Sequence, residues 1–168
     1  LGISSLHATM PINFTENTAE SLDSLRNCLF QDHYTIQCNP HDFNIHGKVE
    51  SEIIGGNLSI LYSLLGSDSD IITDGKILFI EDLDEYLYHI DRMMINLKRN
   101  GKFDKLSGLI VGGMQKMHDN TISYGKTAEE IIYSYLEDCD FPICFSFPSG
   151  HIDDNRSIKF GVKSILKI

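Results

Sequence analysis

The clearest helical pattern in the first third of the chain covers residues 17–30, where Leu22, Leu25 and Leu29 recur at spacings of three and four. Asn17 and Glu20 stand three apart at its start, as a capping pair would. Residues 1–14, with Gly2, Pro11 and scattered Ser, Thr and Asn, carry no period. Residues 31–48 are polar and rich in histidine, with Pro40 and Gly47, and read as a loop or an edge strand. Gly55-Gly56-Asn57 then marks a tight turn before the apolar stretch 58–65, a short buried helix closed by Gly66.

From residue 74 onward the pattern becomes regular. Residues 76–80, Lys-Ile-Leu-Phe-Ile, predict a buried strand ending at Glu81-Asp82. Residues 84–100 predict a helix carrying Leu87, Ile90, Met94 and Leu97, with Gly101 as its stop. A second apolar strand over 106–111 closes at Gly112-Gly113. Thr127-Ala128-Glu129-Glu130 has the form of a capping box and opens a helix bearing Ile131, Ile132, Tyr135 and Leu136. Residues 142–147 predict a third buried strand, followed by Pro148-Ser149-Gly150-His151. The tail from 157 to 168 reads as one or two short strands split by Gly161.

Strands alternating with helices predict an α/β fold, and continuous apolar strands predict a sheet covered on both faces. Ligands of open α/β sheets gather beyond the carboxyl ends of the strands. At those ends stand Glu81, then Gly112-Gly113-Met114-Gln115, then Gly150-His151. A carboxylate and an imidazole are thereby expected at one edge. Gly150 permits the tight turn that would present the ring. A carboxylate that accepts from one imidazole nitrogen leaves the other free to take a proton.

Composition narrows the class without selecting an activity. The 168 residues suit one domain, or one domain and part of another, and can enclose a core. A net charge of −10 with no basic block argues against a nucleic-acid partner, which needs clustered Lys and Arg. No apolar run approaches the roughly 20 residues that span a bilayer. The four cysteines, at 28, 38, 139 and 144, form no CxxC pair or zinc spacing, so reduced thiols in a cytoplasmic protein are the plainer reading. The chain opens on Leu1 rather than Met, with no leader pattern, which predicts a segment upstream.

The remaining polar residues carry weaker signals. His33, His41 and His46 share one loop, but spacings of eight and five fit no helical ligand pair. His89 and His118 read as ordinary polar residues, and His7 has no spacing that assigns it a role. Gly55-Gly56-Asn57 lacks the pattern of a phosphate cradle. Met93, Met94, Met114 and Met117 read as core or loop filler. No Gly-x-Ser-x-Gly elbow is present, and Ser59, Ser63, Ser67 and Ser69 lack an activating partner.

Several ordered blocks together resemble the L,D-carboxypeptidase family. They are Gly55-Gly56-Asn57-Leu58-Ser59, then Gly75 through Asp82, then Tyr88-His89-Ile90-Asp91-Arg92-Met93, and finally Phe147-Pro148-Ser149-Gly150-His151. His7-Ala8-Thr9-Met10 resembles the family's His-Gly-Pro-Met, with Ala8-Thr9 in place of Gly-Pro. The family's serine peptidases include murein tetrapeptide carboxypeptidases and microcin C immunity peptidases. The resemblance implies a two-domain enzyme with a Ser-Glu-His triad divided between domains. Glu81 and His151 match the Glu and His, and the Ser motif is absent from these 168 residues. It further implies a swivelling β/β/α C-terminal domain over 49–168, preceded over 1–48 by the end of the N-terminal domain and a linker. A cytoplasmic homodimer acting on muropeptide-like peptides, without metal or cofactor, completes the expectation. The rival readings are a peptidase for a peptidyl-nucleotide amide and a non-catalytic peptide-binding or dimerisation domain.

Overall fold

A computed structural model describes residues 3–31 and 33–168. The irregular start read at Leu1 and Gly2 lies outside them, as does Asp32 of the polar loop. The elements in chain order are β1 (Ser5–His7), a 3-10 turn at Pro11–Asn13, α1 (Ala19–Phe30), β2 (Lys48–Asn57), α2 (Leu58–Leu64) and β3 (Ile77–Leu83). They continue with α3 (Leu87–Arg99), β4 (Gly108–Gln115), α4 (Ala128–Ser134), β5 (Ile143–Cys144), β6 (Ile158–Phe160) and β7 (Lys163–Lys167). Five strands form one sheet in the order β5-β4-β3-β2-β7. The first four run parallel, and β7 closes the edge antiparallel to β2. β1 and β6 form a separate antiparallel pair.

The predicted α/β architecture and the covering of both faces are present, but the two covers differ in kind. On one face Leu78, Ile80, Leu109 and Val111 pack under α2, α3 and α4, with Ile90, Met93, Met94, Leu97, Ile131 and Ile132. On the other, Ile77, Phe79, Ile110 and Cys144 meet Ile158 and Phe160 of β6 and Ile36 and Cys38 of the long polar segment. Ile77, Leu78, Phe79 and Ile80 are all fully buried. Each such side chain contributes about 1.5–3 kcal/mol of transfer free energy, which makes β3 the axis of the domain.

Several local expectations need correction. The cap of α1 is Thr18, whose hydroxyl accepts from Ser21 N at 3.1 Å, not Asn17. Its buried face is Ser21, Ser24 and Cys28 rather than the leucines, and Leu29 is 55% exposed. The reason is the surface it meets. Ser21 Oγ donates to Asn155 O, and Ser24 Oγ accepts from Ser157 N, so short hydroxyls satisfy a backbone that leucines could not.

Residues 48–57 form a strand, and Gly55 and Gly56 lie inside it rather than in a turn. Its first half, residues 48–52, pairs with β7 and its second half, residues 53–57, with β3. The third predicted strand shrinks to Ile143–Cys144. Phe145 N donates to the Asn44 side chain, and Ser146 turns left-handed at φ 53°, which ends the ladder. α3 begins at Leu87 rather than residue 84, because Asp84 also adopts a left-handed conformation, at φ 64°. The capping box at Thr127 and Glu130, the stop after Arg99 and the two tail strands stand as predicted.

Candidate active site

β3 runs one residue past its predicted end at Glu81-Asp82, to Leu83, and Glu81 is only 1% exposed. The register with β4 shifts beside it. Ile80 pairs with Val111 and Asp82 with Met114, so Gly112 and Gly113 together face Glu81. An irregularity of this kind disrupts the ladder locally and re-aims a side chain. Gly112 has a second task. A Cβ there would lie 2.5 Å from Ser149 O, while Gly113 N donates to that same oxygen at 2.9 Å. Only a bare backbone lets the 147–151 segment come down over the strand end.

That segment delivers His151. Gly150 has φ +116°, the conformation its sequence position predicts. His151 Nδ1 lies 2.7 Å from Glu81 Oε2, and the His151 backbone N–H donates to the same oxygen at 3.3 Å. An ionised carboxylate can only accept, so Nδ1 carries the proton and Nε2 holds the free lone pair. The imidazole side chain is 51% exposed, against 1% for its partner. The base therefore faces outward while its orienting group is buried.

His151 lines an open cleft of about 690 Å³, together with His7, Leu83, Lys116, Gly150 and Asn155 among others. The carboxylate and imidazole that the sequence places at one sheet edge are thus brought together there. Asp82, next along β3, faces the opposite way. Its carboxylate accepts from Asn57 Nδ2 at 2.9 Å, Ser59 N at 3.0 Å and Leu83 N at 2.8 Å. Burial pushes its carboxyl above the usual range, and those hydrogen bonds oppose the push.

Sequence reasoning passed over three residues of the site. Ser149 and Asn155 brace the turn, and His7 comes from β1 to lie behind it. Burial holds the His7 imidazole below its ordinary range; Glu81 opposes this and His151 adds to it. The proline and glycine flanking Ser149 mark a tight turn, but nothing local marks contacts to residues 7 and 155.

The other histidines do not join the site. His118 Nε2 pairs with Asp84, His89 Nδ1 with Glu85, and His41 stacks on Phe145 and accepts from Phe43 N. Among the described residues, no three His, Cys, Asp or Glu side chains converge as a metal site. No helix among them is long and apolar enough to cross a membrane.

Comparison with known proteins gives a consistent picture. The family pattern described as the LD-carboxypeptidase C-terminal domain matches residues 50–166. The chain is 35% identical, over 133 residues, to a Bacillus subtilis protein named "Probable murein peptide carboxypeptidase", covering 79% of this chain and 42% of the relative. It is also 35% identical, over 118 residues, to the Microcin C7 self-immunity protein MccF of Escherichia coli, covering 70% and 34%. The crystal structure of muramoyltetrapeptide carboxypeptidase from Oxalobacter formigenes shares the fold, with a TM-score of 0.87 at 23% identity. That match covers 99% of this chain and 58% of the other. In each case the matched region is less than two thirds of the relative's length.

Proposed function

Since this chain belongs to the LD-carboxypeptidase family, we propose that residues 49–168 form the C-terminal domain of a serine carboxypeptidase. Residues 1–48 are then the end of a preceding domain and its linker. The enzyme hydrolyses the amide bond to a C-terminal D-amino acid, as in recycling of a murein tetrapeptide. It acts as a cytoplasmic homodimer and needs no metal or cofactor. The observation that supports this most is the 2.7 Å contact between Glu81 and the Nδ1 of His151, a residue that lines an open cleft.

The roles follow from that geometry. His151 Nε2 takes the proton of a serine hydroxyl supplied by another part of the enzyme as that oxygen attacks the scissile carbonyl. The same nitrogen then gives the proton to the leaving amine, and water completes the cycle by the reverse path. Glu81 holds the Nδ1–H tautomer and stabilises the imidazolium that forms in between. Its burial keeps competing water from that oxygen.

The test uses the complete enzyme and a murein tetrapeptide. Glu81→Gln and His151→Ala should each lower kcat by several orders of magnitude; wild-type turnover in either overturns the assignment. The isolated 168-residue chain should release no D-alanine. Identity to MccF equal to that with the murein-peptide relative supports a second substrate reading, a peptidyl-nucleotide-like amide. Comparing kcat/KM on the tetrapeptide and on an aminoacyl-nucleotide amide separates the two.

A further inference from the structure

The proposed hydrolysis gives no task to His7, yet this side chain is built into the back of the site. β1 pairs with β6, with His7 opposite Ile158, so the imidazole lies on the sheet face that carries Phe79. Its ring meets Phe79 edge-on, with centroids 5.0 Å apart, and tilts against Phe160 at 5.8 Å. Nδ1 lies 3.2 Å from Ser149 Oγ, and Ser149 is itself fully buried.

The polarity of this array can be worked out from its far end. Gly150 N donates to Asn155 Oδ1 at 3.0 Å, which fixes that atom as the amide oxygen. Ser149 Oγ, 3.3 Å from the same oxygen, donates its single proton there. Its lone pairs then remain to accept, and His7 supplies the proton from Nδ1. The chain of hydrogen bonds runs from His7 through Ser149 to Asn155, which also holds the amide of Gly150. Immediately after that amide comes His151.

We propose that His7 is a positioning residue for His151: its Nδ1–H, through Ser149 and Asn155, fixes the 149–151 turn and so the Glu81–His151 contact. Its consequence for turnover rests on the function proposed above; its structural test does not. A histidine serving only as a ring between Phe79 and Phe160 could be replaced by phenylalanine without effect. A donor to Ser149 could not.

The experiment is proton NMR of the 168-residue chain, following the downfield Nδ1–H resonance of His151, assigned by its loss in Glu81→Gln. His7→Phe should broaden or abolish this resonance, and His7→Gln, whose amide keeps a donor, should preserve it. Ser149→Ala leaves His7 in place and removes the relay oxygen; it should give the same loss, which keeps the test decisive if His7→Phe fails to fold. In the complete enzyme, His7→Phe should lower kcat about 10- to 100-fold with KM little changed, and His7→Gln should restore most of it. A wild-type resonance in either His7→Phe or Ser149→Ala overturns the proposal, as does a loss in His7→Gln equal to that in His7→Phe. If Glu81→Gln and His151→Ala leave turnover intact, the proposed function fails while the resonance still decides the place of His7.

Discussion

A Cβ on Gly150 would lie 2.9 Å from the Cβ of Glu81 and 3.0 Å from its Oε2. The bare backbone of one residue is therefore what lets the next, His151, reach that carboxylate. Two positions 70 residues apart are in hydrogen-bond contact because the residue before one of them has no side chain. The left-handed φ of +116° adds a second reason for glycine.

Gly150→Ala tests this relationship. The contact with the fully packed β3 cannot be relieved by a flexible side-chain tip, and the backbone strain adds to it. We expect a loss of stability of about 1–3 kcal/mol, measured by urea unfolding, together with loss of the His151 Nδ1–H resonance. An unchanged urea midpoint would contradict the turn's dependence on glycine.

Asn57 does two jobs with one amide. Its Oδ1 accepts from Ile60 N at the start of α2 and from Ser59 Oγ, while its Nδ2 donates to Asp82. Asn57→Ala should cost about 1–2 kcal/mol through the lost cap alone. Asp82 makes the cost depend on pH. Its folded carboxyl already titrates above the ordinary value of 3.8, so the ionised form is disfavoured by the fold and the penalty is relieved on acidification. Removing a donor to the ionised form raises that titration further. The destabilisation should therefore be larger at pH 7 than near pH 4, a comparison that urea unfolding at the two pH values decides.

His7 acts in the opposite sense. Its folded titration lies below the ordinary 6.5, so the unfolded chain takes up the proton first. The stability that a neutral His7 contributes is present above 6.5 and is lost as pH falls through the folded value. His7→Phe cannot take up that proton. The difference in unfolding free energy between wild type and His7→Phe should shift against the wild type as pH falls below 6.5, and a pH-independent difference would refute the sign.

Ser24→Ala probes the corrected face of α1. Ser24 Oγ accepts from Ser157 N at 2.8 Å and donates to Ser21 O at 2.7 Å, and Ser24 and Ser157 are both buried. Alanine leaves the Ser157 amide without its partner, at a cost of about 1–3 kcal/mol. Thermal unfolding measures it. Leu29→Ala on the exposed side should change stability by less than this.

The family fold and the meeting of Glu81 with His151 were legible in the residues because each rests on a local pattern. The runs 77–80 and 109–111 are apolar throughout, as strands buried on both faces must be, and Gly150 announces a turn just before His151. The box at Thr127 and Glu130 likewise needs only residues three apart. Other features depend on partners that no local window contains. The leucines of α1 give a helical period, but which face is buried follows from the carbonyl and amide of residues 155 and 157 that it meets. Residues 48–57, Lys-Val-Glu-Ser-Glu-Ile-Ile-Gly-Gly-Asn, carry no strand period, and become a strand because β3 and β7 flank them.

Taken alone, the sequence determined that strands and helices alternate from residue 76 onward and which chemistry stands at the strand ends, since these follow from side-chain period, capping and turn residues. Tertiary structure alone decided that Glu81 faces His151 and Asp82 the start of α2, that the glycines of β4 admit the 147–151 segment, and that His7 lies behind it. Those are relations of distance between remote segments. They are set by packing and by the hydrogen-bonding demands of buried polar groups, which act in space rather than along the chain.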